Sequence, residues 1–181
     1  MTCRTATHAL LALAVAASLA ACGSDEEAAT AAAESTGPVA CESRAATAEP
    51  PAGISSDLAE APEVPGSDAA PPCDLQIADV VVGDGPEAVG GSTVALKYAG
   101  AFYETGEEFD SSWSRGADET LPVTLGEGRV IPGFEQAVYG MQEGGRRLVT
   151  IPSDLGYGPN GQGPIPGDAT LVFLIDLVSV S

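Results

Sequence analysis

The stretch that decides the fold is GEGRVIPGFEQAVYGM, residues 126–141. Its second half places apolar residues at i, i+3, i+4 and i+7, the spacing of one helix face: Phe134, Ala137, Val138 and Met141. Pro132 suits the first turn of this helix, and the glycines within residues 140–145 suit its end. The stretch therefore predicts a short helix whose apolar face needs another element to cover it.

Strand patterns on both sides of this helix supply that cover. Residues 93–103 alternate apolar side chains at every second position, which is typical of a strand with one buried face. Further strand candidates are residues 80–82, 121–125, 147–151 and 170–180. One short helix among about five strands joined by short turns predicts an α+β fold, an antiparallel sheet curled around the helix. Val130 and Ile131 precede the helix, so core filling alone does not explain them.

The N-terminus has the pattern of an export signal. Arg4 precedes an apolar run, residues 9–21, which has the length of a signal segment and is too short to span a bilayer. Residues 19–22, Leu-Ala-Ala-Cys, resemble the lipobox of bacterial lipoproteins, where the signal, here residues 1–21, is cut before a cysteine that then carries lipid. The resemblance implies lipidation at Cys22 and a protein anchored on the extracytoplasmic side of the cell membrane. The alternative is an ordinary secreted protein that is cut nearby at an Ala-x-Ala site.

The segment that follows, residues 22–73, is acidic and rich in Ala, Pro and Glu, with few large apolar residues. Such a composition predicts a disordered tether ahead of a folded domain at residues 74–181. Cys41 and Cys73 lie in this tether. In an oxidising compartment a disulfide between them is possible but stays open, and by closing a flexible loop it need not stabilise the domain.

Charge and composition exclude several functions. The formal net charge of -19 opposes binding to nucleic acid and to anionic lipid head groups, so we expect no nucleic-acid partner and membrane contact only through the lipid anchor. The single histidine, His8, lies in the predicted signal, which removes histidine-based catalytic triads and the usual zinc sites from the mature chain. We expect no metal site and no cofactor.

Four segments resemble, in order and spacing, FKBP-type peptidyl-prolyl cis-trans isomerases. They are LKYAGAFYETGEEFDSSW (96–113), TLGEGRVIPGFEQAVYGMQEGGRRLVTIP (124–152), LGYG (155–158) and IPGDATLVFLIDLV (165–178). The resemblance covers about residues 75–181 and implies a curved antiparallel sheet wrapped around a short α-helix, with an apolar pocket between them.

The resemblance also implies which residues form the pocket. The catalytic positions match Tyr98, Phe109, Asp110, Val130, Ile131, Phe134, Tyr157 and Phe173. In the family the backbone N–H at the Ile131 position holds a ligand carbonyl, and the floor position is often Trp where this chain has Phe134. Weaker matches place further substrate-binding residues at Leu121, Val123 and Ile165.

The function implied by the resemblance is isomerisation of X-Pro bonds in exported proteins, a foldase activity that uses no covalent intermediate. The implied partners are proline-containing exported polypeptides and macrolide inhibitors of FKBP proteins. A noncatalytic module that holds proline-containing segments of envelope proteins is the main alternative, and an acidic spacer protein capped by a stable domain is another. Turnover of a prolyl peptide distinguishes the first two.

Overall fold

A computed structural model describes Cys41 and residues 47–181, so the predicted signal segment, Cys22 and the first part of the predicted tether lie outside the described residues. The described part contains six strands and one α-helix. They are β1 (Gln76–Val81), β2 (Thr93–Phe102), β3 (Glu108–Ser111), β4 (Leu121–Thr124), α1 (Pro132–Val138), β5 (Arg146–Ile151) and β6 (Leu171–Val180). Short 3-10 turns lie at Trp113–Arg115, Ser153–Leu155 and Gly158–Asn160.

The strands form one antiparallel sheet in the order β1-β5-β6-β2-β3, and β4 pairs with β2. The predicted α+β fold, an antiparallel sheet with one short helix, is confirmed, and the sheet has one strand more than the expected five. The additional strand is β3, which carries Phe109 and Asp110. It has four residues, too few to show alternation, and its Asp-Ser-Ser end is typical of a turn.

Strand β6 is the centre of the sheet, with β5 on one side and β2 on the other. Its first seven residues are all buried because both faces of the sheet are covered here. Alternate residues of β6 belong to two separate clusters: Leu171, Phe173, Ile175 and Leu177 pack with the helix, and Val172 and Leu174 pack on the opposite face. Phe173 therefore points to the side on which the helix lies.

Helix α1 has seven residues and buries Gly133, Phe134, Ala137 and Val138 against the sheet. Ile131 precedes it in an extended conformation, and its carbonyl accepts hydrogen bonds from the N–H groups of Phe134 and Glu135, both at 3.1 Å. Met141, expected on the same helix face, lies beyond the last turn but is buried. The helix thus begins at the position that the Pro132 pattern predicts and ends one turn early.

Residues 47–73, which we call the strap, differ from the predicted disordered tether. Thr47 forms a parallel bridge with Ile77 of β1, and the N–H of Ser67 donates to the carbonyl of Tyr103 at 2.9 Å. Ile54 and Val64 pack on the cluster at the sheet face opposite the helix. A few apolar contacts are sufficient here because prolines lower the conformational entropy that the segment loses on ordering. The strap is therefore part of the folded unit.

Arg146 explains why the strap is held against the sheet. Its side chain is 0% exposed and binds the carboxylate of Asp176 through Nε at 2.6 Å and Nη2 at 2.7 Å. Its Nη1 donates to the carbonyl of Ser55 at 2.7 Å, and its Nη2 donates to that of Glu60 at 3.1 Å. A buried ion pair is tolerated only when its remaining N–H groups also find acceptors. The strap supplies those acceptors.

A disulfide joins Cys41 and Cys73, which are 32 positions apart in sequence. This resolves the pairing that the sequence leaves open. The bridge encloses the strap, so it limits the freedom of a segment that is packed on the domain. The expectation that it closes only a flexible loop is therefore wrong.

Candidate active site

A cavity of about 560 Å³ opens between helix α1 and the sheet. Its walls come from four strands, the helix and the loops on either side of it. The lining residues are Tyr98, Phe109, Asp110, Leu121, Arg129, Val130, Ile131, Phe134, Gly156, Tyr157, Gln162 and Phe173. All eight residues that the resemblance assigns to catalysis are among them.

Four of the five aromatic side chains that line this cavity pack together, with Phe173 at their centre. Its ring centroid lies 5.6 Å from that of Phe109 and 5.3 Å from that of Phe134, both at an interplanar angle of 85°. The ring of Tyr98 is 6.3 Å from Phe173 and 6.0 Å from Phe134. Edge-to-face pairs of this kind add attraction beyond area burial, so the rings hold one another in place. The result is a pocket with aromatic walls.

Gly100 makes this ring arrangement possible. It pairs with Phe173 across strands β2 and β6. A Cβ atom at this position would lie 2.6 Å from Cε1 of Phe173 and 2.9 Å from Cζ of Phe109. Both distances are shorter than van der Waals contact, and the contacted atoms belong to packed rings. The close approach of the two rings to the β2 backbone therefore requires a glycine at this position.

Tyr98, Asp110 and Arg115 form a hydrogen-bonded cluster at one edge of the cavity. The Tyr98 hydroxyl donates to Oδ2 of Asp110 at 2.5 Å, and Arg115 donates to Oδ1 of Asp110 at 2.7 Å and to the Tyr98 hydroxyl at 2.9 Å. Burial, and then the hydrogen bond to Asp110, raise the pKa of Tyr98 above its ordinary value. The cluster fixes the orientation of both pocket side chains.

Ser112 holds Tyr98 at this edge of the cavity through two hydrogen bonds to its backbone. Its hydroxyl accepts the N–H of Tyr98 at 2.9 Å, and its own N–H donates to the Tyr98 carbonyl at 3.0 Å. The Ser112 side chain is fully buried. These bonds tie β2 to the end of β3, so that Phe109 and Asp110 face the cavity together.

Two residues that line the cavity carry a hydrogen-bond donor without a partner among the described residues. One such donor is the backbone N–H of Ile131, which lies just ahead of the helix. The other is the hydroxyl of Tyr157, whose pKa is raised by burial and then by the negative charge of Asp110. A donor at an apolar cavity is available to the carbonyl oxygen of a bound ligand.

The loop that presents Ile131 is fastened to the helix. The carboxylate Oε1 of Glu135 accepts the backbone N–H of Gly126 at 2.7 Å. The contact spans the turn at residues 126–131. It keeps Val130 and Ile131 at the wall of the cavity. Their position before the helix, which core filling alone did not explain, is therefore explained by the cavity.

The three residues assigned by weaker matches, Leu121, Val123 and Ile165, lie in three different places. Leu121 lines the cavity. Val123 does not, because it lies deeper along β4 in the core, where it pairs with Val94. Ile165 lines an adjoining cavity of about 210 Å³ that shares Phe109, Asp110 and Tyr157 with the main one.

Sequence reasoning missed Arg115, Arg129 and Gly156 as residues of the site. Arg115 had a signal, since it follows Asp110 at a distance that a short turn can close. Arg129 stands directly before the Val-Ile pair, but an exposed charge in a loop is normally only solvated. Gly156 has no side-chain signal.

The described residues contain no group of three or more His, Cys, Asp or Glu side chains placed to hold a metal ion. Nor does this part of the chain include a helix with the length and apolar character needed to cross a membrane.

Comparison with known proteins agrees with this geometry. The family model for the FKBP-type peptidyl-prolyl cis-trans isomerase matches residues 85–178. An FK506-binding protein of Streptomyces anulatus is 49% identical over 124 residues, 67% of this chain and 98% of that protein. A probable FK506-binding protein of Corynebacterium glutamicum is 47% identical over 108 residues, 60% of this chain and 88% of that protein.

A solved structure shares the fold. The crystal structure of AtFKBP13 is 36% identical with a TM-score of 0.54, and the match covers 59% of this chain and 93% of that one. The chain therefore belongs to the FKBP-type peptidyl-prolyl cis-trans isomerase family. Its activity is peptidyl-prolyl cis-trans isomerisation.

Proposed function

We propose that the protein is a lipid-anchored foldase that accelerates rotation about X-Pro bonds in exported polypeptides. The observation that carries the proposal is the apolar cavity with two unpaired donors, the Ile131 N–H and the Tyr157 hydroxyl. The lipobox-like residues 19–22 support the location on the extracytoplasmic side of the cell membrane.

The chemistry needs an apolar pocket more than it needs a reactive group. Rotation about a prolyl bond breaks amide resonance across a barrier of about 18 to 20 kcal/mol, and the uncatalysed step takes tens to hundreds of seconds. The twisted transition state is less dipolar than the planar imide, so a cavity that excludes water favours the transition state. Lowering the barrier by about 4 kcal/mol gives roughly a thousandfold acceleration.

We assign the pocket residues accordingly. The rings of Tyr98, Phe109 and Phe173 surround the pyrrolidine ring of the client proline, with Phe134 as the floor. The Ile131 N–H donates to a carbonyl oxygen of the client backbone and the Tyr157 hydroxyl to a second one. Asp110 acts by holding Tyr98 in place. Each assignment uses shape, desolvation or a hydrogen bond, and none transfers a proton.

The lipid anchor and the segment after it determine where the domain binds its substrate polypeptides. Only residues 23–40 separate the proposed lipid-carrying Cys22 from Cys41, whose disulfide joins it to the folded domain. The domain then works close to the membrane surface, where exported chains emerge unfolded. Two or more acyl chains, each stabilising insertion by about 0.8 kcal/mol per buried CH₂, keep it there.

The anchor is tested by intact-mass analysis of the protein purified from membranes of its native host. We expect a mature chain that begins at Cys22 and carries acyl groups, and a Cys22→Ala variant that lacks them and leaves the membrane fraction. A mature chain without acyl groups would contradict lipid anchoring while leaving the isomerase activity intact.

The two relatives above are named for binding FK506, and we propose that the cavity of this protein binds macrolides of that class. The apolar walls and the unpaired Ile131 N–H suit a ligand that presents a ring and a carbonyl. FK506 should inhibit isomerisation competitively with a prolyl peptide. Inhibition that is absent at saturating FK506 would exclude this ligand class.

A further inference from the structure

Cationic side chains are few in this acidic protein, and two of them, Arg115 and Arg129, lie beside the cavity. The whole chain has seven Lys and Arg against 26 Asp and Glu. The cationic side chains among the described residues are Lys97, Arg115, Arg129, Arg146 and Arg147.

The four cationic side chains other than Arg129 have contacts within the fold. Arg146 binds Asp176, Arg147 binds Asp79 and the Ala137 carbonyl, Arg115 binds Asp110 and Tyr98, and the Nζ of Lys97 lies 4.2 Å from the ring centroid of Trp113. Each of these four cationic groups is therefore already in contact with side chains of the domain.

Arg129 differs from them in exposure and in bonding. Its side chain is 72% exposed and lines the cavity. Its Nε donates to Oε2 of Glu127 at 2.6 Å, and its two Nη groups have no hydrogen-bond partner among the described residues. An exposed ion pair contributes little stability, so Glu127 does not hold the guanidinium against a competing anion. The free Nη edge is the geometry that binds a carboxylate through two parallel hydrogen bonds.

We propose that Arg129 sets a substrate preference of this isomerase, favouring client segments that carry an acidic side chain within a few residues of the proline. The proposal rests on isomerisation in the cavity described above. Arg129 directly precedes the Val130 and Ile131 wall, so a client seated with its proline among the aromatic rings brings its neighbouring side chains within reach of the guanidinium.

The overall negative charge acts against this preference, but over a longer range. Fields from distant carboxylates are screened over about 8 Å at physiological ionic strength, whereas the two charges of a contact pair lie well within that distance. The two effects together predict a moderate preference. We expect an acidic peptide to exceed its neutral counterpart about two- to fivefold in kcat/KM, the range of an exposed ion pair.

The test compares matched prolyl peptides that carry Glu, Gln or Lys at each of the two positions before and after proline. The purified full chain is assayed for isomerisation, and the readout is the ratio of kcat/KM for the Glu peptide to that for the Gln peptide. At one position or more this ratio should exceed two, and it should fall towards one as salt is raised. In Arg129→Gln the ratio should fall to about one, and Arg129→Glu should favour the Lys peptide.

Lys97→Gln is the matched control. It removes the same charge, and Lys97 lies on the opposite face of β2 from Tyr98 because neighbouring strand residues alternate. Its Glu-to-Gln ratio should equal that of the unchanged protein. A ratio of one at every position, a ratio that survives in Arg129→Gln, or an equal loss in Lys97→Gln would overturn the proposal. Absence of turnover on the Gln peptides themselves would instead contradict the isomerase function on which it rests.

Discussion

At the scale of single residues, the site depends on a glycine as much as on its aromatic side chains. Gly100 leaves room for the rings of Phe109 and Phe173, which would contact a Cβ atom closer than van der Waals distance. Since those rings are packed against other rings, they cannot move away without disturbing the whole wall.

Gly100→Ala should therefore displace the pocket aromatics. Overpacking costs about 1 to 3 kcal/mol of unfolding free energy, and we expect kcat/KM on a prolyl peptide to fall about tenfold. Gly90→Ala is the control, because the nearest atom to its added Cβ is at an ordinary 3.9 Å from Tyr139. Equal activity in the two variants would show that the close approach at Gly100 does not shape the site.

Tyr157→Phe tests the hydroxyl of a tyrosine that lines the cavity. The substitution removes a donor that has no partner among the described residues, so the fold should be unaffected and the melting temperature unchanged. One lost hydrogen bond to the client lowers kcat/KM about two- to tenfold. The control is Tyr139→Phe, where the tyrosine is exposed and outside the cavity. A Tyr157→Phe rate equal to that of the control would remove the hydroxyl from the mechanism.

The pH profile follows from the same two tyrosines. The pKa of Tyr98 and that of Tyr157 are both raised by burial, and both lie next to Asp110. Each hydroxyl therefore keeps its proton to a higher pH than tyrosine in an unfolded chain, whose ordinary pKa is about 10. Because the unfolded chain loses these protons first, the stability that they contribute is complete below about pH 10 and is lost as pH rises through the folded-state pKa values.

We therefore expect kcat/KM to be nearly constant from about pH 6 to pH 9 and to fall, together with the melting temperature, only above about pH 10. Rate measurements and thermal melts across this range provide the check. A midpoint near pH 7 would mean that some other group titrates in the site.

At the scale of elements, the strap stabilises the domain, although its composition predicts a disordered segment. Its carbonyls at Ser55 and Glu60 complete the hydrogen bonds of Arg146, whose charge is buried in the sheet with that of Asp176. Losing the strap would leave two of those hydrogen bonds unmade in a buried site, which is costly. The disulfide at Cys73 holds one end of the strap beside β1.

The double variant Cys41→Ser, Cys73→Ser should accordingly be less stable. Closing a loop of this size contributes about 2 to 4 kcal/mol through the unfolded chain, so the free energy of unfolding in denaturant should fall by that amount. The unchanged protein treated with a thiol reductant should show the same loss. An unchanged midpoint would mean that the strap does not need the bridge and that the disulfide only limits a flexible loop.

At the scale of the whole molecule, the sequence predicted the sheet and the helix because their signals are local, whereas the cavity was implied by the family resemblance. The helical spacing from Phe134 to Val138 predicts α1, and the long apolar runs predict β2 and β6. The family motifs predict which residues line the cavity. The packing of the strap escaped prediction because it depends on contacts distant in sequence. The strap is held through Arg146, 86 positions beyond Glu60, and no period marks such a contact.

The site follows the same division. Tyr98, Phe109, Phe134 and Phe173 come from four separate elements, and only the joint motif brought them together before the fold was known. Val123 was assigned to the wall by a weak match to the family pattern, but it is buried in the core opposite Val94, and the depth of a residue along a strand is a tertiary property. Arg129 was missed because an exposed charge has meaning only when the cavity beside it is visible.

The central claim is that the cavity accelerates prolyl isomerisation by apolar shape, and one measurement tests it most directly. Exchange spectroscopy by NMR on an X-Pro peptide gives the cis-trans rate with and without catalytic amounts of the purified protein, and circular dichroism confirms folding of every sample. We predict an acceleration that Phe173→Ala lowers by at least about tenfold, because the ring that contacts all three others is gone. A folded protein that leaves the exchange rate unchanged, or a folded Phe173→Ala variant that retains full activity, would contradict the account.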